Sequence, residues 1–332
     1  MRRLTPRQQA LVQLLADGEF HSGEQIGERL GISRAAVSQQ LKGLRTLGLE
    51  VFSVSGRGHA LAHPLELLDP ALLQQAVGGA PVHCVAVVDS TNDYMMSRLA
   101  DWRKGECLLA ESQTAGRGRR GRQWVSPFGG QMILSLYWRL EQGLGAAMGL
   151  SLVVGVALAE TLVHEGYDHM GLKWPNDLYS HGQKLAGILV EMSAIAGGSC
   201  HLVIGVGLNL AMSLQQGESI TQAWSSLESL APGRKIERNR LIAAFIGNLR
   251  QALETFEQQG LAPFIERWAA FDIYRNQPVQ LLLGEERVTG TVRGIDEQGG
   301  LLLETETGLH TYVGGEISLR PMLESCRISP SE

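Results

Sequence analysis

The stretch Gln113-Thr-Ala-Gly-Arg-Gly-Arg-Arg-Gly-Arg-Gln-Trp124 decides between two kinds of fold that combine helices with strands. It contains G-x-G-x-x-G at Gly116, Gly118 and Gly121, which is the spacing of a dinucleotide-binding turn. That turn needs a helix to begin inside the motif, whereas this chain continues as Val-Ser-Pro-Phe-Gly-Gly into an apolar strand. The stretch therefore indicates a loop between two strands and argues against a dinucleotide-binding fold.

The segments around this loop alternate short β-like runs with helical patterns. The predicted strands are residues 82–89, 106–112, 129–138, 170–174, 184–192 and 201–210, and the predicted helices are 90–100, 144–165 and 237–258. Two candidate hairpin turns are Ser180-His181-Gly182 and Ala196-Gly197-Gly198. Because the order is not a strict β-α-β alternation, we predict an α+β fold with a mixed sheet and helices mainly on one face.

The loop carries four arginines within seven residues, Arg117, Arg119, Arg120 and Arg122. Three uses remain open from composition: a bidentate clamp on phosphates, a contact with nucleic acid, or a solvated surface loop. Trp124, at the end of the loop, adds an aromatic face on which a ring can stack.

A second constellation is Lys173-Trp-Pro-Asn-Asp177, followed by Lys184-Leu-Ala-Gly-Ile-Leu-Val-Glu191. The proline ends a strand, so Asn176 and Asp177 are expected in a turn at a sheet edge. Lys184 opens an apolar strand, where its ammonium group either reaches back to water or faces an anion in a pocket.

The first 60 residues contain three helical patterns, and the last two are joined by a Gly-Ile-Ser turn, as in a helix-turn-helix. Thr5 and Ser33 are predicted to cap the first and third helices, and Gly31 is predicted to end the second in the left-handed conformation. Two short strands around Ser55-Gly56-Arg57-Gly58 then form the wing of a winged helix. The candidate DNA-binding residues are Ser33, Arg34, Ser38, Gln39, Gln40, Lys42 and Arg57. The alternative is a helical protein-interaction domain with a basic face. Such a small module is expected to bind DNA as a dimer on a two-fold site.

The charge distribution agrees with a DNA-binding front end. Residues 1–60 hold eight basic and five acidic side chains, a net of +3, so the rest of this 332-residue chain of net charge −5 carries −8. No P-loop motif occurs, and the four cysteines show no C-x-x-C spacing. The N-terminus does not resemble a secretory signal, and residues 142–159 are better explained by a buried helix than by a membrane span. We therefore expect a cytoplasmic protein without a membrane anchor.

Residues from about 275 onward are predicted to form a small β-barrel of short strands separated by glycine-rich turns. The predicted strands there are residues 278–283, 285–296, 300–307 and 310–320. The predicted domains are 1–66, a winged helix-turn-helix; 67–272, the mixed-sheet domain; and 273–332, the barrel.

Taken together, these motifs resemble those of the biotin–protein ligases. The resemblance rests on Ser90-Thr91-Asn92, the arginine-glycine loop, Lys173–Asp177, Lys184–Glu191 and Gly205-Val-Gly-Leu-Asn209, and it covers essentially the whole chain. With the helix-turn-helix in front, the chain is similar to the bifunctional repressor–ligases of bacteria. The family resemblance implies a ligase-like central domain and an SH3-like C-terminal domain.

The resemblance also implies a two-step reaction. Biotin and ATP, with Mg²⁺, would form biotinyl-5′-adenylate, and biotin would then pass to a lysine of the biotin carboxyl carrier protein of acetyl-CoA carboxylase. The adenylate would act as corepressor, favouring a homodimer that binds the biotin operator. No fixed metal site is expected, since Mg²⁺ would enter with ATP.

The residue roles implied by the resemblance are catalysis and ligand binding. Lys184, Arg119 and Asp177 match catalytic positions, although Asp177 is equally suited to holding Mg²⁺ or to activating the acceptor lysine. The positions that match ligand contacts are Ser90, Thr91, Asn92, Gln113, Gly116, Arg117, Gly118, Arg119, Arg122, Trp124, Lys184, Asn209, Trp224 and Arg320. Three rivals are a lipoate–protein ligase, a transcription factor that has lost catalysis, and a nucleic-acid-processing protein that uses the arginine loop.

Overall fold

A computed structural model describes residues 4–62, 64–141, 143–194, 198–213, 215–283, 285–313 and 317–321, with side chains except at 144, 146 and 317–321. The helices are α1 Pro6–Leu15, α2 Gly23–Leu30, α3 Arg34–Arg45, α4 Pro70–Val77, α5 Thr91–Met96, α6 Leu150–His164, α7 Leu227–Leu230, α8 Arg238–Gln259 and α9 Ala262–Phe271. The strands are β1 Val51–Val54, β2 Gly58–Leu61, β3 Val82–Val88, β4 Cys107–Gln113, β5 Gln131–Leu140, β6 Met170–Lys173, β7 Asp177–Ser180, β8 Gln183–Ala194, β9 Cys200–Asn209, β10 Pro278–Leu283, β11 Glu286–Ile295, β12 Leu301–Thr305, β13 Gly308–Tyr312 and β14 Ile317–Pro321.

The N-terminal module is a winged helix-turn-helix, as predicted. Thr5 caps α1 through a capping box, Gly31 ends α2 in the left-handed conformation at φ 62°, and Ser33 caps α3. Strands β1 and β2 pair antiparallel as the wing. The apolar faces of the three helices share one core that includes Leu11, Leu15, Ile26, Val37, Leu41 and Leu44.

This N-terminal core continues into the rest of the chain. Phe128, which follows the arginine-glycine loop, is buried in the same cluster, and Leu65 packs against it. Ser213 also donates a hydrogen bond to Glu50 of the module at 2.9 Å.

The central sheet has seven strands in the order β3-β4-β5-β9-β8-β7-β6. Strands β3 and β4 are parallel, and the other neighbouring pairs are antiparallel, so the prediction of a mixed sheet is confirmed. The predicted turn 180–182 does connect β7 to β8. Residues 195–197 of the other predicted turn lie outside the described residues, although β8 and β9 pair antiparallel.

Helices α6, α8 and α9 pack on one face of this sheet, in the largest apolar core. The predicted helix 144–165 is wrong in its first part, because residues 144–147 form a separate short turn and Gly149, at φ 78°, precedes α6. α6 is almost wholly buried, as predicted. Within the described residues, no helix has the length and apolar character required to cross a membrane. The opposite face of the sheet, called the open face below, is covered in part by α5 and by Leu99 and Trp102, which follow it.

The C-terminal segment forms an antiparallel sheet in the order β13-β12-β11-β10-β14. The predicted single run 310–320 is wrong, because it divides into β13 and β14, which lie at opposite ends of this order. Closure into an SH3-like barrel stays a prediction, as do the boundaries of the three domains. Arg320 lies on β14 beside Gln280, and its side chain is outside the described ones.

Asp272, which connects α9 to the C-terminal sheet, is a half-buried acid with an incomplete set of hydrogen-bond partners among the described residues. Its Oδ1 accepts a hydrogen bond from the Tyr274 N–H at 2.9 Å, while Oδ2 is buried without a hydrogen-bond partner among the described residues. Burial raises the pKa of Asp272 from 3.8 to about 6, although the Tyr274 N–H and Arg275 lower it.

We expect Asp272→Asn to stabilise the protein near pH 8 but not near pH 4. Because the pKa of Asp272 is higher in the folded protein than in the unfolded chain, binding of its proton stabilises the fold. This stabilisation is complete below the unfolded pKa and is lost as the pH rises through about 6. Above that pH the charged carboxylate costs roughly 1–3 kcal/mol, which the amide avoids. Urea unfolding of both proteins at the two pH values tests this. If the two proteins differed in their free energy of unfolding by the same amount near pH 4 and near pH 8, this expectation would be contradicted.

Candidate active site

A deep cavity lies on the open face of the central sheet, beneath the arginine-glycine loop. Its empty space, including space open to solvent, is about 1090 Å³. The lining residues include Ser90, Thr91, Asn92, Gln113, Arg117, Gly118, Arg119, Arg120, Arg122, Trp124, Lys173, Asn176, Asp177, Lys184, Gly187, Leu189, Gly205, Gly207 and Gln222. The loop, the Lys173–Asp177 motif and Lys184 therefore meet in one place.

A β-bulge aims Lys184 into this cavity. Asp177 pairs with Gly187 and Leu178 with Ala186, but Tyr179 pairs with Lys184, so Leu185 is an extra residue on β8. Cross-strand partners share a face, and the bulge therefore puts Lys184 on the same face as Asp177 and Gly187. Simple alternation along β8 would have pointed Lys184 into the core beneath the sheet.

Lys184 and Asp177 form an ion pair inside the cavity. The ammonium nitrogen lies 2.8 Å from Asp177 Oδ1, and the two side chains are only 12% and 17% exposed. The ammonium also lies 5.7 Å from the centre of the Trp124 ring. Lys184 thus faces the cavity, where its ion-pair partner is Asp177.

The arginine-glycine loop folds as a tight hairpin. The Gly118 N–H donates to the Arg122 carbonyl at 2.7 Å, and the Trp124 N–H donates to the Gly116 carbonyl at 2.8 Å. Gly116 does not line the cavity; it permits this close approach, since a Cβ there would lie 2.4 Å from the Trp124 carbonyl oxygen. Gly116 therefore shapes the loop through its backbone and does not face the cavity.

Arg119 is the loop arginine most withdrawn from solvent among those lining the cavity. Its Nη1 donates to Asn176 Oδ1 at 3.1 Å. Burial, together with the neighbouring guanidinium of Arg120, lowers the pKa of Arg119, while Asp177 raises it. Arginine nevertheless stays charged, so a desolvated cation is held where an anionic ligand can meet it.

The other end of the cavity is a neutral hydrogen-bonding turn at the start of α5. Ser90 caps the helix, and Gln113 Oε1 accepts from the Thr91 N–H at 2.8 Å. Ser135 donates from Oγ to Asn92 Oδ1 at 2.5 Å. Between these two ends, the cavity is lined by the backbone of three glycines of β8 and β9, Gly187, Gly205 and Gly207.

Trp124 rests on two glycines that pair across strands, Gly187 and Gly207. A Cβ on Gly207 would lie 2.4 Å from the indole, and a Cβ on Gly187 would lie 3.1 Å from it. The indole Nε1 donates to Gln131 Oε1 at 3.0 Å. These glycines make a flat floor on which planar groups can pack.

Asn209 and Trp224 do not line the main cavity but an adjoining compartment of about 320 Å³ of empty space, which shares Trp124 and Lys184 with it. The segment of Trp224 pairs with β8 through backbone bonds, with Lys184 N–H donating to the Ala223 carbonyl at 3.0 Å. Asn209 is buried and donates to the Ser225 carbonyl at 2.9 Å. The two compartments thus meet at Lys184.

A separate groove lies between α3 and the wing. Arg34, Ser38 and Arg57 line it, whereas Ser33, Gln39, Gln40 and Lys42 lie on the surface or edge of α3 outside it. The guanidinium of Arg57 stacks 4.2 Å above the Phe20 ring. The groove thus brings together three of the seven candidate DNA-binding residues.

Several polar residues of the site are not among the residues predicted from the sequence. Asn176, Glu191, Gln131 and Asp93 are among them, and each bonds a predicted site residue. The signal for Glu191 was a carboxylate at the end of an apolar strand. Among the described residues, no group of three His, Cys, Asp or Glu is arranged to hold a metal ion.

Comparisons with known proteins agree with this organisation. Family models match at residues 7–60 (an HTH domain), 84–209 (the biotin/lipoate A/B protein ligase family) and 275–320 (the biotin protein ligase C-terminal domain). The bifunctional ligase/repressor BirA of Salmonella typhimurium is 49% identical over 93% of this chain and 96% of its own. The biotin–[acetyl-CoA-carboxylase] ligase of Paracoccus denitrificans is 32% identical over 70% of this chain and 98% of its own.

A solved structure shares the fold over the ligase part. The biotin protein ligase of Aquifex aeolicus, in complex with biotin and ATP, has a TM-score of 0.61 and 28% identity and covers 73% of this chain and 99% of its own.

Proposed function

Because the chain belongs to the biotin–protein ligase family, in its bifunctional ligase/repressor branch, we propose that it makes biotinyl-5′-adenylate from biotin and ATP. Biotin then passes to a lysine of the biotin carboxyl carrier protein of acetyl-CoA carboxylase. The observation that carries the proposal is the single cavity in which Lys184, Asp177 and Arg119 meet, with a neutral polar turn at its far end.

Biotin fits between these two ends. Hydroxyl and amide groups of Ser90, Thr91 and Asn92 suit the neutral ureido ring, and the glycine floor with Trp124 suits the apolar chain. The biotin carboxylate then reaches Lys184. The two ends of the cavity therefore orient biotin with its ureido ring at the neutral turn and its carboxylate at Lys184.

Adenylation needs two anions to approach each other. A biotin carboxylate oxygen attacks the α-phosphorus of ATP, the bond to the β-phosphate breaks, and pyrophosphate leaves. Lys184 and Arg119 offset the repulsion, most strongly when charge builds on the pentacoordinate phosphorus. The adenine occupies the adjoining compartment against Trp224, with Asn209 near the adenylate and Arg320 toward the nucleotide side.

Mg²⁺ would enter with ATP, and Asp177 would be the carboxylate that holds it, in which case its ion pair with Lys184 would loosen. In the second step the acceptor amine attacks the carbonyl carbon and AMP leaves. Asp177 alternatively takes the proton of that amine. The loop residues Gln113, Gly116, Arg117, Gly118 and Arg122 close over the adenylate and exclude water.

The DNA module makes the same chain a repressor of the biotin operon. Residues 1–66 contact the biotin operator through α3 and the wing, residues 67–272 carry catalysis, and residues 273–332 form the SH3-like domain. The homodimer forms when biotinyl-adenylate is bound, and the protein works in the cytoplasm.

Discrimination between biotin and lipoate tests the ligase activity. Purified protein, ATP, Mg²⁺ and the carrier protein are incubated with either acid, and the mass of the carrier is measured. The proposal requires a biotin adduct on one lysine that depends on ATP. A lipoyl adduct formed equally fast, or no adduct at all, would overturn it.

Biotinyl-adenylate is expected to raise operator affinity at least about fivefold, since ligand-linked coupling is typically 1–3 kcal/mol. Ordering of the glycine-rich loop on the ligand favours the dimer, and two recognition helices then meet two half-sites together. Titration at fixed salt, with and without adenylate, measures the change, and sedimentation follows the dimer. Equal affinities would exclude the corepressor role, and higher affinity without a dimer would exclude this mechanism.

A further inference from the structure

Arg117 of the arginine-glycine loop is held by two carboxylates from outside the loop. Its Nη2 lies 2.7 Å from Glu191 Oε1 and 2.9 Å from Oε2, and the same nitrogen forms an ion pair with Asp93. Glu191 comes from β8 and Asp93 from the first turn of α5. The loop is therefore tied to both β8 and α5 through one guanidinium.

Glu191 has a second partner, which lies in the neutral turn. Asn92 Nδ2 donates to Glu191 Oε2 at 2.9 Å and to the Leu189 carbonyl at 3.1 Å. Since Asn92 Oδ1 accepts from Ser135, this network fixes which way the amide faces. Gly205 leaves the space, because a Cβ there would lie 2.4 Å from Asn92 Oδ1.

We infer that Glu191 is a positioning residue that couples closure of the loop to the orientation of Asn92. The inference rests on the proposed function and deepens it. One carboxylate, 23% exposed, sets the amide that meets the ureido ring and also anchors the loop that covers the adenylate. Asp93 also pairs with Arg117, but it is half-exposed and the contacts above do not connect it to Asn92. We therefore expect Asp93 to contribute less than Glu191 to the position of the loop.

Three variants separate the contact of Glu191 with Asn92 from its contact with Arg117. Glu191→Ala removes both contacts. Glu191→Gln keeps an oxygen that accepts from Asn92 but removes the charge that holds Arg117. Asp93→Asn is the matched control, because it removes a charge from Arg117 and leaves the Asn92 contact.

The readouts are KM for biotin, kcat for transfer, and the rate of AMP release in the absence of acceptor protein. We expect Glu191→Ala to raise KM for biotin about tenfold, since it removes a hydrogen bond to a charged group, with kcat changed less than about threefold. AMP release without acceptor should rise as the loop admits water. Glu191→Gln should return KM to within about threefold of wild type while AMP release stays high, and Asp93→Asn should change both less.

Changes below about twofold in both KM and AMP release for Glu191→Ala would overturn the inference, as would equal KM values for the Ala and Gln variants. Thermal unfolding of each variant accompanies the kinetics. If Glu191→Ala does not fold, the test rests on the near-isosteric Glu191→Gln, for which AMP release equal to wild type would overturn the inference. Failure of the proposed function gives a different result, because the wild-type protein would then release no biotin-dependent AMP.

Discussion

Lys184→Met is expected to slow adenylate formation by about 10²–10³-fold, because it removes one positioned charge from a developing phosphorane. The ammonium group sits where the two compartments meet, 2.8 Å from Asp177 Oδ1. Its loss also leaves the Asp177 carboxylate facing the incoming biotin carboxylate. Both effects raise the barrier to the same step.

The fold should survive this substitution. The backbone of Lys184 is fixed by bonds to Ala223 and Ser225, which do not involve the side chain. Single-turnover formation of the adenylate measures the rate, and Lys235→Met, at an exposed position, is the control. A rate within about threefold of wild type would remove Lys184 from catalysis.

Arg238→Met is expected to lower the free energy of unfolding by about 3–5 kcal/mol, since it leaves a buried carboxylate without its cation. Arg238 is 3% exposed and pairs with Glu111, which is 7% exposed. The same guanidinium donates to the Gln131 carbonyl at 2.8 Å and to the Glu66 carbonyl at 3.0 Å. Glu111 also accepts from the Leu68 N–H at 2.6 Å.

This buried pair joins the linker after the DNA module to the central sheet and to α8. Denaturant unfolding measures the loss, and the double variant Arg238→Met/Glu111→Leu should recover part of it by removing the orphaned charge. Arg240→Met, at an exposed position of the same helix, is the control. A loss below about 1 kcal/mol for Arg238→Met would mean that the pair is not a structural anchor.

The elements with strong local signals could be predicted from the sequence. Caps at Thr5 and Ser33, and the left-handed Gly31, bound the N-terminal helices where the sequence indicated. Residues 144–165 were predicted as one helix because their apolar composition hides the interruption, and residues 310–320 were predicted as one strand although Gly314-Gly315 lies within them. In the first, Gly149 separates a short turn from α6; in the second, β14 is set by long-range pairing with β10.

The site was predicted in its motifs but not in its connections. The bulge at Leu185 depends on the register between β7 and β8, which local sequence does not specify, yet it aims Lys184 at the cavity. The partners of Arg117 come from positions 24 residues before it and 74 after it. Such pairs form only when the sheet brings distant segments together, so a charge run could not reveal them.

The most direct measurement is the identity of the ligand that the protein retains after incubation with biotin, ATP and Mg²⁺. The protein is separated from free nucleotides, denatured, and its bound ligand analysed by mass spectrometry, with Lys184→Met treated in parallel. We predict biotinyl-5′-adenylate on the wild-type protein, at about one per chain, and far less on the variant in the same short incubation. Unreacted biotin or ATP on the wild-type protein, without any adenylate, would contradict the account.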